Sequence, residues 1–571
     1  MNEIKRALER IELRPVDEEA VVQLAEALSV TPAIARVLCA RNLNTFDECK
    51  AFFRPNIEQF NDPFLFNDMQ RAVDRIAKAI GTGEKIIVYG DYDVDGITAT
   101  TLMVRVLRKL GAACSYYLPN RLSEGYGLSE DGIRKIASEG TTLIITVDCG
   151  ISAHKEVDVA NCVGIDCIIT DHHEVHETVP DAYAVLDPKD PESGYPFQYL
   201  AGVGVALKLC QALATRYGHG TALWQPHLDL VALGTAADIV PMKQENRVIA
   251  ALGFAQMSST VHCGLQALID LQGLHGKMLS TSQVVFQLAP CINAVGRIGD
   301  PTAGVELLLT DDPDRGKVLA EELRCANLER RELDSAVAEE AYKWVEQNTD
   351  TSEDFCLVAG NEQWHAGVIG IVASKLVERY HRPSILFAIS DDGFARGSGR
   401  SIPALHLLEA LHKCSDLLEG YGGHAAAAGM TIRTENIDSF RERFNAVVKE
   451  LLNAEDFVPV VKVDAEITIP GITPKFYRII KQMEPFGPGN MRPVFLSRNV
   501  RLRTSPRLLK NAHLKMNLVG DGIAIDAIGF NFGDRYTVVN QAKELSVAFT
   551  VDQNEWNGKT SLQMKVKGIA L

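Results

Sequence analysis

The segment KIIVYGDYDVDG, residues 85–96, has two unlike halves. Its first half is a short apolar run rich in β-branched residues, and its second half is an acidic turn flanked by glycines. A run of that length closed by a polar turn reads as a buried strand. The segment after it, TATTLMVRVLRKLG (98–111), is amphipathic and reads as a helix. The same texture returns in TLIITVD (142–148) and CIIT (167–170), again with amphipathic segments between. Strands that alternate with helices predict a parallel sheet with helices on both faces. Open sheets of this kind carry their sites at the C-terminal ends of the strands, where this sequence keeps its acidic residues.

Asp91, Asp93 and Asp95 place three carboxylates within five residues. They repel one another, so a folded chain holds them together mainly when cations neutralise them. Gly90 and Gly96 permit the tight turn this requires. A calcium loop is the obvious competitor, but no bidentate Glu stands at its twelfth position and the local pattern is strand–turn–helix. Further acidic and His groups follow. Asp148 ends TLIITV and precedes Cys149-Gly150, Asp171-His172-His173 ends CIIT, and Asp238 lies in ALGTAADIVPM, which breaks at Pro241. One such residue is usually a cap or a hydrogen-bonding partner. Four motifs at the ends of elements of one sheet point to a metal centre. Carboxylates with one or two imidazoles and no thiolate suit Mg²⁺ or Mn²⁺ better than structural zinc. Two adjacent cations need a bridging carboxylate, and Asp148 is the candidate. Such a pair activates water and holds both oxygens of a phosphoester.

The rest of the chain fits around this centre. At 571 residues it exceeds one hydrophobic core, and its 46% hydrophobic and 23% charged fractions exclude disordered and fibrous classes. No segment approaches the ~20 apolar residues of a membrane span. The opening, MNEIKRALERIELRPVDEEA, is charged throughout and lacks the apolar run of a secretory signal, so a cytoplasmic location is expected. Twelve scattered cysteines without a C-x-x-C pair read as reduced, mostly buried thiols, Cys149 included. The net charge of −16 seems to disfavour a polyanion partner, but it is unevenly spread. From Phe457 to Leu571 there are sixteen Lys and Arg against nine Asp and Glu, a balance of +7, which leaves −23 on the preceding 456 residues. A basic terminal module on an acidic body flags a nucleic-acid partner.

In this order, Asp93/Asp95, Asp148, Asp171-His172-His173 and Asp238 resemble the four motifs of the DHH phosphoesterase superfamily. Downstream, GRSIP (399–403) and Gly422-Gly423-His424-Ala425-Ala426-Ala427-Ala428-Gly429 resemble the DHHA1 substrate-binding domain associated with it. The form G-D-Y-D-V-D-G, the length, Asn293-Ala294-Val295-Gly296-Arg297 and the basic terminal module are similar to its branch of single-strand-specific exonucleases. The resemblance implies a 5′→3′ exonuclease on single-stranded DNA that releases 5′-mononucleotides and acts in recombination and repair. It implies two divalent cations, Mn²⁺ or Mg²⁺, with Asp93, Asp95, Asp148, His172 and Asp238 as ligands. His173 falls where the family contacts the scissile phosphate, and Asp91 where it supports the first motif. Partners implied by the family are a single-strand-binding protein and a RecQ-type helicase, and a monomer without a membrane is expected.

The expected architecture is a multidomain α/β chain. It comprises an N-terminal helical extension (1–50), a parallel-sheet DHH domain (51–310), a long linking helix (311–347), a smaller α/β DHHA1 domain (348–455) and an OB-like β-barrel (456–571). GFARGSGR (393–400) reads as a glycine-rich turn followed by a helix from Pro403, an anion site in which Ser398 and Arg400 contact phosphates. Arg297 is the candidate for a terminal 5′-phosphate, and Gly422, Gly423 and His424 line substrate near the metals. Arg498, Arg501, Arg503, Arg507, Lys510 and Lys515 supply a basic track, with Phe486, Phe530, Phe532 and Tyr536 as stacking faces. Two other readings stay open: a phosphoesterase of small molecules or very short oligonucleotides, and a nucleic-acid-binding scaffold with a decayed site.

Overall fold

The strand Lys85–Gly90 lies inside a five-stranded sheet of order Ala113–Tyr117, Lys85–Gly90, Thr141–Val147, Asp166–Thr170, Ala184–Leu186, with every neighbouring pair parallel. The reason is written in its alternation. Ile86 and Val88 join one buried cluster, with Leu143, Ile145 and Val147, while Ile87 and Tyr89 join a second, with Ile144. A sheet buried on both faces leaves no polar face, so its strands read as continuous apolar runs. Each buried Ile or Val contributes about 1.5–3 kcal/mol.

Chain order along this sheet is second, first, third, fourth, fifth. The crossover direction therefore reverses between Lys85–Gly90 and Thr141–Val147, and a crevice opens there at the C-terminal edge. Register aligns that edge. Gly90 pairs with Val147, Val147 with Thr170, and Thr170 with Leu186. The next residues on these four strands are Asp91, Asp148, Asp171 and Asp187, a buried row of four carboxyl groups.

The computed structural model describes residues 9–119, 127–298, 300–350, 353–556 and 558–570. It divides into two bodies. One holds 45–328 together with 482–492, and the other holds 9–44, 329–481 and 493–570. The helix Pro313–Asn348 runs through the sequence boundary between them. Its start is capped as an Asp-rich segment allows, Asp312 accepting the Asp314 N–H at 2.9 Å. In the second body a mixed sheet has the order Leu418–Gly423, Ala427–Arg433, Phe394–Arg400, Ser384–Ile389, Leu357–Asn361. The terminal module is a curled sheet in which Phe495–Leu502 meets His513–Gly520 over only two pairs, Arg501–Val519 and Leu502–Leu518. The sheet thus curls toward an OB-like barrel without closing strictly.

Three details differ from the sequence reading. GFARGSGR is a strand, not a turn, and the helix after it spans Leu407–His412. A Cβ on Gly397 would stand 2.4 Å from the Phe387 ring, and one on Gly399 would stand 3.0 Å from Leu407. These glycines make room across the sheet instead of bending the chain. The N-terminal segment, of which 1–8 lie outside the described residues, is not wholly helical, since Arg10–Leu13 is a strand parallel to Val460–Val463. Gln482–Arg492 lies with the body of the catalytic sheet although its sequence neighbours do not. Among the described residues no single helix is long and apolar enough to cross a membrane.

Candidate active site

The first motif is built by a helix cap. Asp93 precedes the helix Val94–Lys109, and its carboxylate accepts the N–H groups of Asp95 (2.8 Å) and Gly96 (3.1 Å). A Cβ on Gly96 would lie 2.5 Å from the Asp91 carbonyl oxygen, so only glycine lets the turn close. Asp95, in the first helical turn, accepts from Gly202 N–H (2.6 Å) and Val203 N–H (2.9 Å), the N-terminus of the helix Gly202–Tyr217. A helix N-terminus favours a buried anion. Asn293 completes this corner by accepting the Val94 N–H at 3.1 Å.

Asp171 anchors the third motif. Its Oδ1 accepts from the N–H groups of His172 (2.7 Å) and His173 (3.2 Å) and from His173 Nδ1 (2.7 Å), and its Oδ2 from Ile151 N–H (2.9 Å). Burial pushes the Asp171 carboxyl up, but the His173 bond and charge outweigh it and hold the group below its usual range. In return, although burial lowers it, the bond to Asp171 brings His173 up to about 9. His173 thus keeps its proton at neutral pH, with Nδ1 on Asp171.

His172 behaves in the opposite way. Burial, and next the charge of His173, lower it to about 3, so its ring is neutral. Three carboxylate oxygens nonetheless crowd its Nε2: Asp148 Oδ1 at 3.1 Å, Asp238 Oδ2 at 3.6 Å and Asp95 Oδ2 at 3.9 Å. None makes a hydrogen bond to that nitrogen. Burial first and carboxylate neighbours second raise Asp95 to about 7 and carry Asp148 and Asp238 well above their ordinary values. A buried acceptor nitrogen among acceptor oxygens is unfavourable unless a cation lies between them. The ligand atoms form three overlapping groups, each within 4.8 Å: Asp91, Asp93 and Asp148; Asp148, His172 and His173; Asp95, His172 and Asp238. Asp148 belongs to two of them, and its backbone holds a φ of 62° at the strand end, a left-handed conformation that Asp tolerates better than most residues. Oxygen donors with imidazole fit Mn²⁺ or Mg²⁺.

Known proteins resemble this chain in sequence and in fold. The family model for the DHH family, N-terminal domain, matches residues 85–235, that for the DHHA1 domain 353–450, and that for the RecJ OB domain 463–568. The single-stranded-DNA-specific exonuclease RecJ of Bacillus subtilis (strain 168) is 40% identical over 564 residues, which cover 98% of this chain and 71% of that protein. The protein of the same name in Escherichia coli (strain K12) is 34% identical over 98% of this chain and 99% of its own. This chain belongs to the RecJ family. Its fold matches the crystal structure of RecJ in complex with Mn²⁺ from Thermus thermophilus with a TM-score of 0.85 at 29% identity, over 98% of this chain and 79% of that one. The Mg²⁺ complex from the same organism gives 0.78 at 28%, over 98% and 78%.

The other candidate residues of this RecJ-family chain lie on elements of both bodies. Arg297 is the penultimate residue of the helix Ala289–Ile298, one turn beyond Asn293, and Gly296 of that helix would set a Cβ 2.7 Å from the Tyr92 carbonyl oxygen. In the DHHA1 sheet, register puts Gly422, Gly429 and Ser398 in one row, with Gly423 beside Ala428 and Gly399 in the next. Arg400 Nη1 donates to Ser398 Oγ at 3.1 Å, and a Cβ on Gly370 would stand 2.8 Å from that Oγ, at the start of the helix Ile369–Tyr380. Gly423 has a φ of 145° and would press a Cβ to 2.4 Å from the Ala427 carbonyl oxygen, and His424 is exposed on the hairpin. In the terminal module Arg498 pairs with Glu466 and Arg501 with Glu544, while Arg503, Arg507 and Lys510 are exposed and Lys515 is half-buried. Phe530 is exposed, but Phe532 is buried against Gly529, Phe486 carries the Arg492 guanidinium at 5.1 Å and Tyr536 is half-buried.

Sequence reading missed two groups at the metal edge. Asp187 follows its strand in register with Asp171, yet Leu-Asp-Pro reads locally as a turn. Gly202 and Val203 give no local signal that their N–H groups serve Asp95.

Proposed function

We infer that this chain is a metal-dependent exodeoxyribonuclease that degrades single-stranded DNA 5′→3′ and releases 5′-mononucleotides, in DNA recombination and repair. The observation that carries it is the neutral, buried His172 Nε2 surrounded by three carboxylates at 3.1–3.9 Å, on a chain 34–40% identical to named single-strand-specific exonucleases. Asp91, Asp93 and Asp148 are proposed to hold one divalent cation, and Asp95, Asp148, His172 and Asp238 a second. When bound, Mn²⁺ or Mg²⁺ supplies water activation and neutralises charge on the attacking and leaving oxygens.

The chain's own residues then do the rest. Asp171 fixes the His173 ring and keeps its proton, so His173 Nε2–H donates to a non-bridging oxygen of the scissile phosphate as charge builds. The Gly202–Val203 N–H pair holds Asp95 against repulsion from Asp93. The Leu200 backbone holds the His172 ring, which leaves its other nitrogen for the cation. Ser398 and Arg400 in the DHHA1 sheet, with Gly422, Gly423 and His424, are proposed to grip the strand, and Arg297 the 5′-phosphate. Arg503, Arg507 and Lys510, with Phe530, are the proposed track on the terminal module. A cytoplasmic monomer working beside a single-strand-binding protein and a RecQ-type helicase is the proposed setting. The test is a panel of 5′-phosphorylated single-stranded DNA, blunt duplex and RNA of one sequence, with Mn²⁺. Degradation of single-stranded DNA far above the other two supports the reading, and equal rates on duplex refute it.

A further inference from the structure

The segment Gln482–Arg492 lies in sequence between the helix Pro474–Gln482 and the strand Phe495–Leu502 of the terminal module, yet it packs in the body of the catalytic sheet. Its anchor is Arg247, 4% exposed, on the helix Gln244–Met257. Arg247 Nη1 donates to the carbonyls of Met483 (2.9 Å) and Pro485 (3.3 Å), Nη2 to Glu484 (3.0 Å) and Nε to Phe52 (3.0 Å), and the guanidinium lies 3.7 Å from the Phe52 ring centroid. The buried Asn490 ties the same segment to itself, donating to the Met483 and Pro485 carbonyls at 2.9 Å, while Gly487 and Asn490 close a tight turn through paired backbone bonds. This is a strap fixed at one end with a guanidinium fork, whose planar donors suit carbonyl groups held in a set geometry.

The strap meets one short loop. Met242 N–H donates to the Pro488 carbonyl at 2.6 Å, and positions for a Cβ on Gly487 and Gly489 would stand 3.2 Å from Met242 and 2.8 Å from Lys243. That loop begins at Asp238, which caps the helix Leu228–Ala237 and faces His172. Its two ends are unusual. Ile239, 60% exposed, has φ 62°, and Gln244 has φ 41°. Left-handed backbone at a β-branched residue persists only where the surroundings over-determine it, and such residues gather at functional sites. Ile239 has little packing of its own, so the determination comes from further along. It comes from the Met242–Pro488 bond and from Asn246 Nδ2, which donates to the Pro241 carbonyl at 3.0 Å.

We propose that the Gln482–Arg492 strap is a positioning element of the metal centre: by pinning Met242 it holds the strained loop that aims the Asp238 carboxylate. The inference rests on the reading of Asp238 as a metal ligand. It gives a segment of the C-terminal region a role in metal affinity, apart from any grip on DNA. Contacts one step behind a ligand typically alter metal affinity about 10–100-fold.

The test counts bound Mn²⁺ by electron paramagnetic resonance, without DNA, in the full chain and in Gly487→Val, which drives side-chain carbons into Met242. Gly489→Ala is the milder second variant, strained by its φ of 71°. The expected result is a Kd for one of two Mn²⁺ raised about tenfold in Gly487→Val and about threefold in Gly489→Ala. The other Kd should stay within about twofold, with KM for DNA unchanged and kcat restored by excess Mn²⁺. Unchanged affinities in both folded variants overturn the proposal, and so does equal weakening of both cations. Asp238→Asn, run alongside, separates the two claims. If it leaves Mn²⁺ binding intact, the ligand reading of Asp238 falls; if it loses one cation while the strap variants keep both, only the strap's role falls.

Discussion

Replacing Gly202 by alanine adds one methyl group at the tightest point of the site. An ideal Cβ there lies 2.4 Å from Asp148 Oδ1, 2.6 Å from its Cβ and 2.7 Å from its Cγ. Ordinary contact needs at least about 3.4 Å, so Asp148 or the helix start must move by roughly 1 Å. Either movement harms the site. If Asp148 retreats, the carboxylate shared by two ligand groups leaves them both. If the helix retreats, Asp95 loses the Gly202 N–H bond of 2.6 Å. Misplacement of about 1 Å costs on the order of 10²-fold in rate, equivalent to about 2.7 kcal/mol of transition-state stabilisation. Overpacking costs a further ~1–3 kcal/mol of stability, which does not by itself unfold a chain of this size. The assay is kcat/KM on single-stranded DNA with Mn²⁺, with thermal melting as the check on folding. Gly204→Ala on the same helix is the control, because the atoms nearest its Cβ belong to the Leu200 side chain, at 3.2–3.7 Å. A folded Gly202→Ala within about threefold of wild type, or an equal loss in Gly204→Ala, would refute the reasoning, since the expected loss is about a hundredfold.

Two further outcomes follow from the same geometry. In Asp171→Asn the His173 imidazolium loses the bond and charge that do most to raise it to about 9, while burial still lowers it and the charges of Asp238 and Asp93 still favour the proton, so the proton is lost at a lower pH than in the wild type. The alkaline limb of the kcat profile, taken at saturating Mn²⁺, moves from near pH 9 to lower pH, and an unmoved limb would remove His173 from the chemistry. Arg503, Arg507 and Lys510 changed together to alanine weaken single-strand binding and flatten its log–log salt slope by about 2, from ~0.7 per lost phosphate contact. Fluorescence anisotropy across a KCl series reads this, and an unchanged slope would place the DNA elsewhere.

The catalytic sheet was legible because its signals are local. KIIVYG, TLIITV and CIIT each combine β-branched residues with a closing Asp, and each is a strand. The divalent-metal requirement was legible for the same reason, since carboxylates and imidazoles at strand ends fall within short motifs. What failed depended on partners distant in sequence. Gly397 and Gly399 read as a turn, and only the neighbouring Phe387, Leu407 and Met430 show why glycine is required in a strand. Asp187 could not be told from a turn residue until register aligned it with Asp171. Arg10–Leu13 pairs with a strand some 450 residues away, and the short run before it carries no alternation of its own. Gly202 is one of many glycines, and its closeness to Asp148 exists only in three dimensions. The basic track was counted correctly, but Glu466 and Glu544 neutralise two of its arginines.

We propose that the carboxylates around His172 form a two-cation centre that removes nucleotides from the 5′ end. The direct test is a time course on 5′-phosphorylated single-stranded DNA labelled at its 3′ end, with Mn²⁺, for the wild type and Asp148→Ala. The expected result is a labelled strand that shortens steadily, with unlabelled 5′-mononucleotides released, and no cleavage by the variant. Release of the label in the first products, or an active Asp148→Ala, would contradict it.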